Sequence, residues 1–328
     1  IFGRKESAPQ AATLEFWGIE DEDLWRDAIS KFQAGNPHLT INYTRFEETA
    51  YEETLLNRLA ENKGPDVFLL KNSWITKHKD KIKPLPQDLF EANPRDIRRT
   101  FIDLASNDLV TRDNMILGLP VFIDTLALFY NKDIFNSAGI AEIPKTWQEI
   151  ADTAARLTKL NPAGEILRSG VALGDSKNVE HAMEILSARI LQEGDKIIDR
   201  TGGQVELGAE ATRALEFFIS FRDPKNKHFS WTPRMPKSLD AFAEGQAAMI
   251  FGFSEDIPRI LAKNPHLNLG VAPFPQLKDA QKSITYGTYF FPTVSRSSRN
   301  PVAAWQLVLY LASNEGSKNY LAKANKPP

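Results

Sequence analysis

The chain has 328 residues, 42% of them hydrophobic and 25% charged, with 40 Lys and Arg set against 42 Asp and Glu. That length exceeds one ordinary core and predicts two domains, while a net charge of −2 leaves no basic footprint for nucleic acid and no polybasic anchor for a membrane. The absence of cysteine excludes thiolate catalysis, Cys-ligated zinc and a disulfide framework.

The chain opens on Ile1-Phe2-Gly3-Arg4-Lys5. A cleaved signal or a trimmed membrane anchor leaves such a stub, and so does an arbitrary boundary. Residues 1–12 read as a small, polar tether. Leu14 and Phe16 then alternate as in a strand over Thr13–Trp17, and Leu24, Ala28 and Phe32 mark a helix face. Leu39–Phe46 reads as a second strand, Tyr51, Leu55 and Leu59 as a second helix, and Val67–Leu70 as a short apolar third strand. Strand–helix–strand–helix–strand with short links implies parallel pairing through right-handed crossovers. In such sheets ligands sit beyond the carboxyl ends of the strands, here Gly18–Asp21, Lys71–Trp74 and the turn before Asp124.

The apolar run through Leu126, Leu128, Phe129 and Tyr130 reads as a strand covered on both faces. Thr146 is placed to cap the following helix while Glu149 reaches back, and Trp147, Ile150, Ala154 and Leu157 repeat at helical spacing. Further helices are predicted at 146–160, 179–193 and 209–222, with weak strands near Gly170–Leu173 and Ala248–Phe251. Asp223–Ser238 reads as a long connecting loop. Trp17, Trp25, Trp147 and Trp305 lie on apolar faces and are assigned to the core, and Trp231 stays open between core and surface.

Enzyme chemistry finds no foothold in these residues. The histidines at 38, 78, 181, 228 and 266 show no metal-ligand spacing and are read as surface or loop residues, and no phosphate loop is present. Gly252-Phe253-Ser254-Glu255-Asp256 begins like a nucleophile elbow but lacks its second glycine. No metal and no organic cofactor is expected.

Several ordered motifs go further. Gly118-Leu119-Pro120, Leu128-Phe129-Tyr130-Asn131-Lys132-Asp133, Ala138-Gly139 and Pro144-Lys145-Thr146-Trp147 are followed by FAEGQAAMIFG at 242–252, LGVAPFPQL at 269–277 and VSRSSRNPVAAWQLVLYLAS at 294–313. In this order they resemble the extracellular solute-binding proteins of ABC sugar importers, the family that includes maltose-binding protein. The resemblance covers roughly Leu14 to Pro328. It implies an α/β, two-lobed periplasmic-binding-protein fold (type II), each lobe a mainly parallel sheet flanked by helices, with a cleft between the lobes. It divides the chain into lobe 1 at 13–123 plus 271–313 and lobe 2 at 124–270 plus 314–328. The family continues for several more helices of lobe 2, so apolar positions on the 179–193 helix, such as Ile185 and Leu186, are expected to be partly uncovered.

The resemblance implies an extracytoplasmic monomer, in the periplasm or tethered at the cell surface, that captures a carbohydrate and delivers it to the permease subunits of an ABC transporter. A ligand-sensing receptor of the same fold and an extracellular carbohydrate-active enzyme with two cleft carboxylates are the alternatives. Sugar sites combine aromatic faces with carboxylates that accept hydroxyl protons. On that chemistry the candidate ligand residues are Asp124 at the first crossing, where the family often carries an acidic sugar contact, and Glu20 and Asp21 after the first strand. Trp74 follows the third strand, Tyr286 and Tyr289 flank Gly287, and Asp175 stands at a rim of the second lobe. Phe253 and Asp256 occupy the turn where the family often carries a tryptophan. Asp124 is expected to stand in an open, wet cleft and to matter little to stability.

Overall fold

The computed structural model describes residues 11–88, 90, 92–194, 197 and 207–324. The proposed tether lies outside these residues except for Ala11 and Ala12. The chain lays down β1 (Ala12–Gly18), α1 (Glu22–Gly35), β2 (Leu39–Arg45), α2 (Glu48–Ala60), β3 (Val67–Lys71), α3 (Ile75–His78), α4 (Pro94–Thr100) and α5 (Asp103–Leu109). Next come β4 (Asp124–Thr125), β5 (Ala127–Asn131), α6 (Lys132–Ser137), α7 (Trp147–Leu157), β6 (Lys159–Leu160), β7 (Ile166–Arg168), α8 (Ala182–Gln192) and α9 (Ala209–Ser220). Then follow α10 (Ser238–Ala243), β8 (Met249–Gly252), α11 (Asp256–Lys263), β9 (Leu269–Pro273), β10 (Gly287–Thr288), β11 (Phe290–Val294), α12 (Pro301–Leu311) and α13 (Asn314–Ala324). Two compact units result: the chain up to Ile123 together with everything from Thr288 onward, and the single stretch Asp124–Gly287.

The first unit is built on a four-stranded sheet in the order β11-β3-β1-β2. β1 pairs in parallel with β2 and β3, and β11 runs antiparallel to β3. β3 reads Val-Phe-Leu-Leu because both of its faces are covered. Val67 and Leu69 join Leu14, Phe16, Trp25, Trp305 and Val308 on one side. Phe68 and Leu70 join Tyr51, Leu55, Tyr289 and Phe291 on the other. The period of two along a pleated strand sends alternate side chains to opposite layers.

α13 belongs to this unit, which corrects the placement of 314–328 with the second lobe. Tyr320 is fully buried and stacks on Trp25 with ring centroids 4.3 Å apart. Lys323 pairs with Asp27 at 2.8 Å. The sequence of α13 is polar enough to suit either unit, and these contacts with α1 decide where it docks.

The second unit holds a three-stranded sheet, β8-β5-β9. Both pairings of β5 are antiparallel, so this sheet is not the mainly parallel one that was expected. Because β9 is zipped to β5 along Leu269–Pro273, residues 271–287 stay with the second unit, and the return falls at Gly287/Thr288 rather than at 270/271. The short strands at the two changes of unit, β4 and β10, pair with each other. Gly170–Leu173 is not a regular strand. It is tied to its neighbours by the bridge Ser169–Ala247, by the bond from Ala172 N–H to Met249 O and by bonds to the Thr158 and Ser230 hydroxyls. A Cβ at Gly170 would stand 2.2 Å from the carbonyl oxygen of Ala154, and that close approach sets the path of this segment over α7.

α7 starts as its sequence predicts. Thr146 Oγ1 accepts from Glu149 N–H while the Glu149 carboxylate accepts from Thr146 N–H, a complete capping box. Thr146→Ala should destabilise the second unit by about 1 kcal/mol, measured as a shift in urea midpoint with unchanged slope. A neutral result would mean that the backbone bonds to Gln276 hold this helix start without the cap. The loop 223–238 is anchored rather than loose. Trp231 is fully buried and donates Nε1–H to Asn178 Oδ1 at 2.8 Å, while Ser230 Oγ bridges Val171 N–H and C=O at 2.8 and 2.9 Å. Among the other core assignments Trp25, Trp147 and Trp305 are buried, and Trp17 is half-buried against Phe46.

On α8, Ile185 is covered (1% exposed), contrary to expectation, and Leu186 is half-buried. Among the described residues of these two helices the uncovered large apolar side chains are Met183 at 64% on α8, and Leu215 at 44% and Ile219 at 43% on α9.

Candidate functional site

In the second unit the turn after β8 brings Asp124, Phe253 and Asp256 together. Asp124 is only 8% exposed. Its Oδ1 accepts the N–H groups of Thr125 at 2.9 Å and Ser254 at 3.1 Å, and its Oδ2 accepts the Ser254 hydroxyl at 2.6 Å. The carboxylate expected in open water is therefore held by three donors. A carboxylate offers about four lone-pair positions, so one remains, on Oδ2.

Asp256 is more deeply set, at 1% exposure. It accepts Phe253 N–H at 2.9 Å and His181 Nε2 at 2.7 Å, and Arg259 stands 3.4 Å from its other oxygen. It is a brace of the turn, not a ligand-facing acid. Phe253 is likewise buried and meets the His181 ring edge-on at 4.8 Å, so it offers no open face for a sugar. Burial of the His181 ring opposes its charge, but the hydrogen bond and charge of Asp256, backed by Glu184 and Glu255, outweigh this and raise its pKa above the usual histidine value.

Tyr286 is half-buried against the core of the second unit, and its carbonyl accepts Leu126 N–H at 2.9 Å. Asp175 accepts Lys177 N–H at 2.8 Å and meets Arg222 at 3.4 Å. It lines an open groove of about 360 Å³ with Lys177, Met183, Leu186, Phe218 and Arg222.

In the first unit Glu20 and Asp21 do follow β1, beside the carboxyl end of β2. Glu20 accepts the Tyr320 hydroxyl, and its carbonyl accepts Tyr43 O–H at 2.8 Å. Burial first, and the Glu20 charge second, push the ionisation of Tyr43 and Tyr320 far above the usual tyrosine value. Asp21 is exposed, stands at the N-cap of α1 without a capping bond from its side chain, and pairs with Arg45 at 3.2 Å. Trp74 is half-buried and edge-on to Phe290 at 5.7 Å, and Lys71 lies 5.4 Å from the same Phe290 ring. Tyr289 is not surface lining: it is 1% exposed, and its hydroxyl donates to Asp108 at 3.1 Å.

Sequence reasoning missed Ser254, whose partner lies 130 positions away. It also read the histidines as idle. His78 is buried on Glu52 at 2.7 Å, and His228 meets Ser220 Oγ at 2.7 Å. Among the described residues no three His, Asp or Glu side chains converge as a metal site, and no helix is long and apolar enough to cross a membrane.

Two α/β units, the second a single stretch of chain set between the two segments of the first, carry polar side chains gathered at strand ends. The chain belongs to the bacterial extracellular solute-binding protein family, whose sequence model matches residues 18–318. It is 26% identical over 347 aligned positions to the sn-glycerol-3-phosphate-binding periplasmic protein UgpB of Escherichia coli (strain K12), covering 98% of this chain and 75% of UgpB. Its fold matches the sugar-binding protein MalE of Xanthomonas citri with a TM-score of 0.76 at 22% identity, over 97% of this chain and 79% of that one. It also matches the GacH receptor of Streptomyces glaucescens, solved unliganded and with acarbose, with a TM-score of 0.73 at 22% identity over 96% and 79%.

Proposed function

We propose that this chain captures a small uncharged polyol, a mono- or oligosaccharide, outside the cytoplasmic membrane and delivers it, as a monomer, to an ABC transporter. The observation that carries the reading is Asp124, a carboxylate fixed by three donors with one acceptor position left for a ligand hydroxyl. Glu20, Asp21, Trp74 and Tyr286 are proposed as further contacts, and the role is binding rather than bond-making.

The relatives divide between a phosphate ester and sugars. Charge favours the sugar. A phosphate brought to Asp124 would meet an acidic acceptor with no cation bonded to it among the described residues, and like charges at such distances repel, whereas a hydroxyl donates to it. Calorimetric titration with maltotriose and with sn-glycerol 3-phosphate, followed by mass spectrometry of the recovered ligand, tests this. A neutral saccharide should bind and return intact. Tighter binding of sn-glycerol 3-phosphate would reverse the ligand class, and a shortened saccharide would mean catalysis.

A further inference from the structure

The turn Gly252–Asp256 is gripped from two sides. Asp124 holds Ser254 by its N–H and its hydroxyl, and Asp256 holds Phe253 N–H while accepting a bond from His181. A carboxylate accepts and does not donate, so the His181 Nε2 carries the shared proton. His181 sits at φ 60° and ψ 22°, in the left-handed region, directly before α8. This places its ring against Phe253 and across from the start of α11.

We propose that Ser254 and His181 are positioning residues for the ligand contact at Asp124, Ser254 directly and His181 through Asp256 and the backbone of the turn. The proposal rests on Asp124 being a ligand contact. With the imidazole charged, the His181–Asp256 bond is charge-assisted, shorter and stronger than the neutral one. The turn is then tied down, and the Ser254 donors stay aimed at Asp124. When His181 loses its charge, the brace weakens and Asp124 loses part of its alignment.

The charged groups that face His181 are Asp256 on α11, Glu255 directly before that helix, Glu184 on α8, and Arg259, which shares Asp256. The neighbouring Glu180 is engaged by Ser238. The pKa of His181 is raised on folding, so its contribution is fully present below about pH 6.5 and is lost as pH rises through the folded value. His228 has the opposite sign. Burial lowers its pKa, so its charging at acid pH favours unfolding. The His181 effect is therefore read from a variant against the wild type, not from one profile.

The test is amide hydrogen exchange of Phe253 and Ser254, corrected for intrinsic rates, from about pH 6 to about pH 8, on wild type, His181→Asn and Ser254→Ala. Asparagine tolerates the left-handed backbone and carries no titratable charge. Wild-type protection should fall severalfold as pH rises, and His181→Asn should be less protected at acid pH and flat with pH. Equal protection in the two proteins would overturn the proposal. Maltotriose titrations on the same samples should show an affinity that weakens with pH in wild type but not in His181→Asn, and a severalfold loss in Ser254→Ala at unchanged pH response. Should His181→Asn fail to fold, the wild-type exchange profile and Ser254→Ala still decide: a flat profile or undiminished affinity refutes it. Asp124→Asn separates the two readings. If it binds maltotriose as wild type does while the exchange profile titrates, the ligand role of Asp124 fails and the brace stands.

Discussion

Asp124→Ala is expected to weaken saccharide binding ten- to a hundredfold and, at the same time, to destabilise the second unit by about 3 kcal/mol. The first figure comes from losing a hydrogen bond to a charged acceptor, about 1.5–3 kcal/mol. The second comes from stranding three donors, the Ser254 hydroxyl and the Thr125 and Ser254 N–H groups, at a site that is 8% exposed. Sequence alone suggested that stability would be spared, and the burial of this carboxylate reverses that expectation. Asp124→Asn separates the effects. Both backbone donors bond to one oxygen, which asparagine keeps, and its amide can donate to the Ser254 hydroxyl in place of the other. The asparagine variant should therefore melt near wild type and still bind poorly. Unchanged affinity in both variants, measured by calorimetry, would remove Asp124 from the ligand site.

Tyr320→Ala should cost the first unit about 3–5 kcal/mol, the range for removing a fully buried large aromatic. The lost side chain stacks on Trp25, lies 5.9 Å from the Phe122 ring and donates to Glu20. Hydrogen exchange resolved by peptide should show the opening of α1 and α13 accelerated, with β5, β8 and β9 unchanged. Acceleration in the second unit instead would restore the placement of 314–328 with that unit. Glu20 would lose its partner on α13, so the variant also reports whether the position of Glu20 matters to binding.

The parts legible from sequence were those whose signals are local. The capping box joins Thr146 and Glu149, three positions apart, and the alternation of Leu14 and Phe16 or the unbroken apolar run of β3 is written within a few neighbouring positions. The hidden parts join distant positions. Ser254 stands 130 residues from Asp124, His181 75 from Asp256, and Tyr320 300 from Glu20. Tyr289 read as a candidate ligand contact because it flanks Gly287 with Tyr286, yet it is buried and its hydroxyl reaches Asp108, 181 positions back. The antiparallel sheet of the second unit was hidden for a related reason. Strand spacing indicates how many strands exist, but β8 and β9 choose their partner, β5, across long intervals.

The second unit is one uninterrupted stretch, and the first is closed only by the segment from Thr288 onward. Protein synthesis runs in one direction, so the two units are completed in the reverse of their numbering. Once Gly287 has left the ribosome the second unit has all its strands, while β3 still presents a bare edge of Val67, Phe68, Leu69 and Leu70 awaiting β11. An unpaired apolar edge is a template for association with other chains. The nascent protein thus carries this apolar edge uncovered throughout the making of the unit inserted within it, and the hazard ends only when Phe290–Val294 arrives.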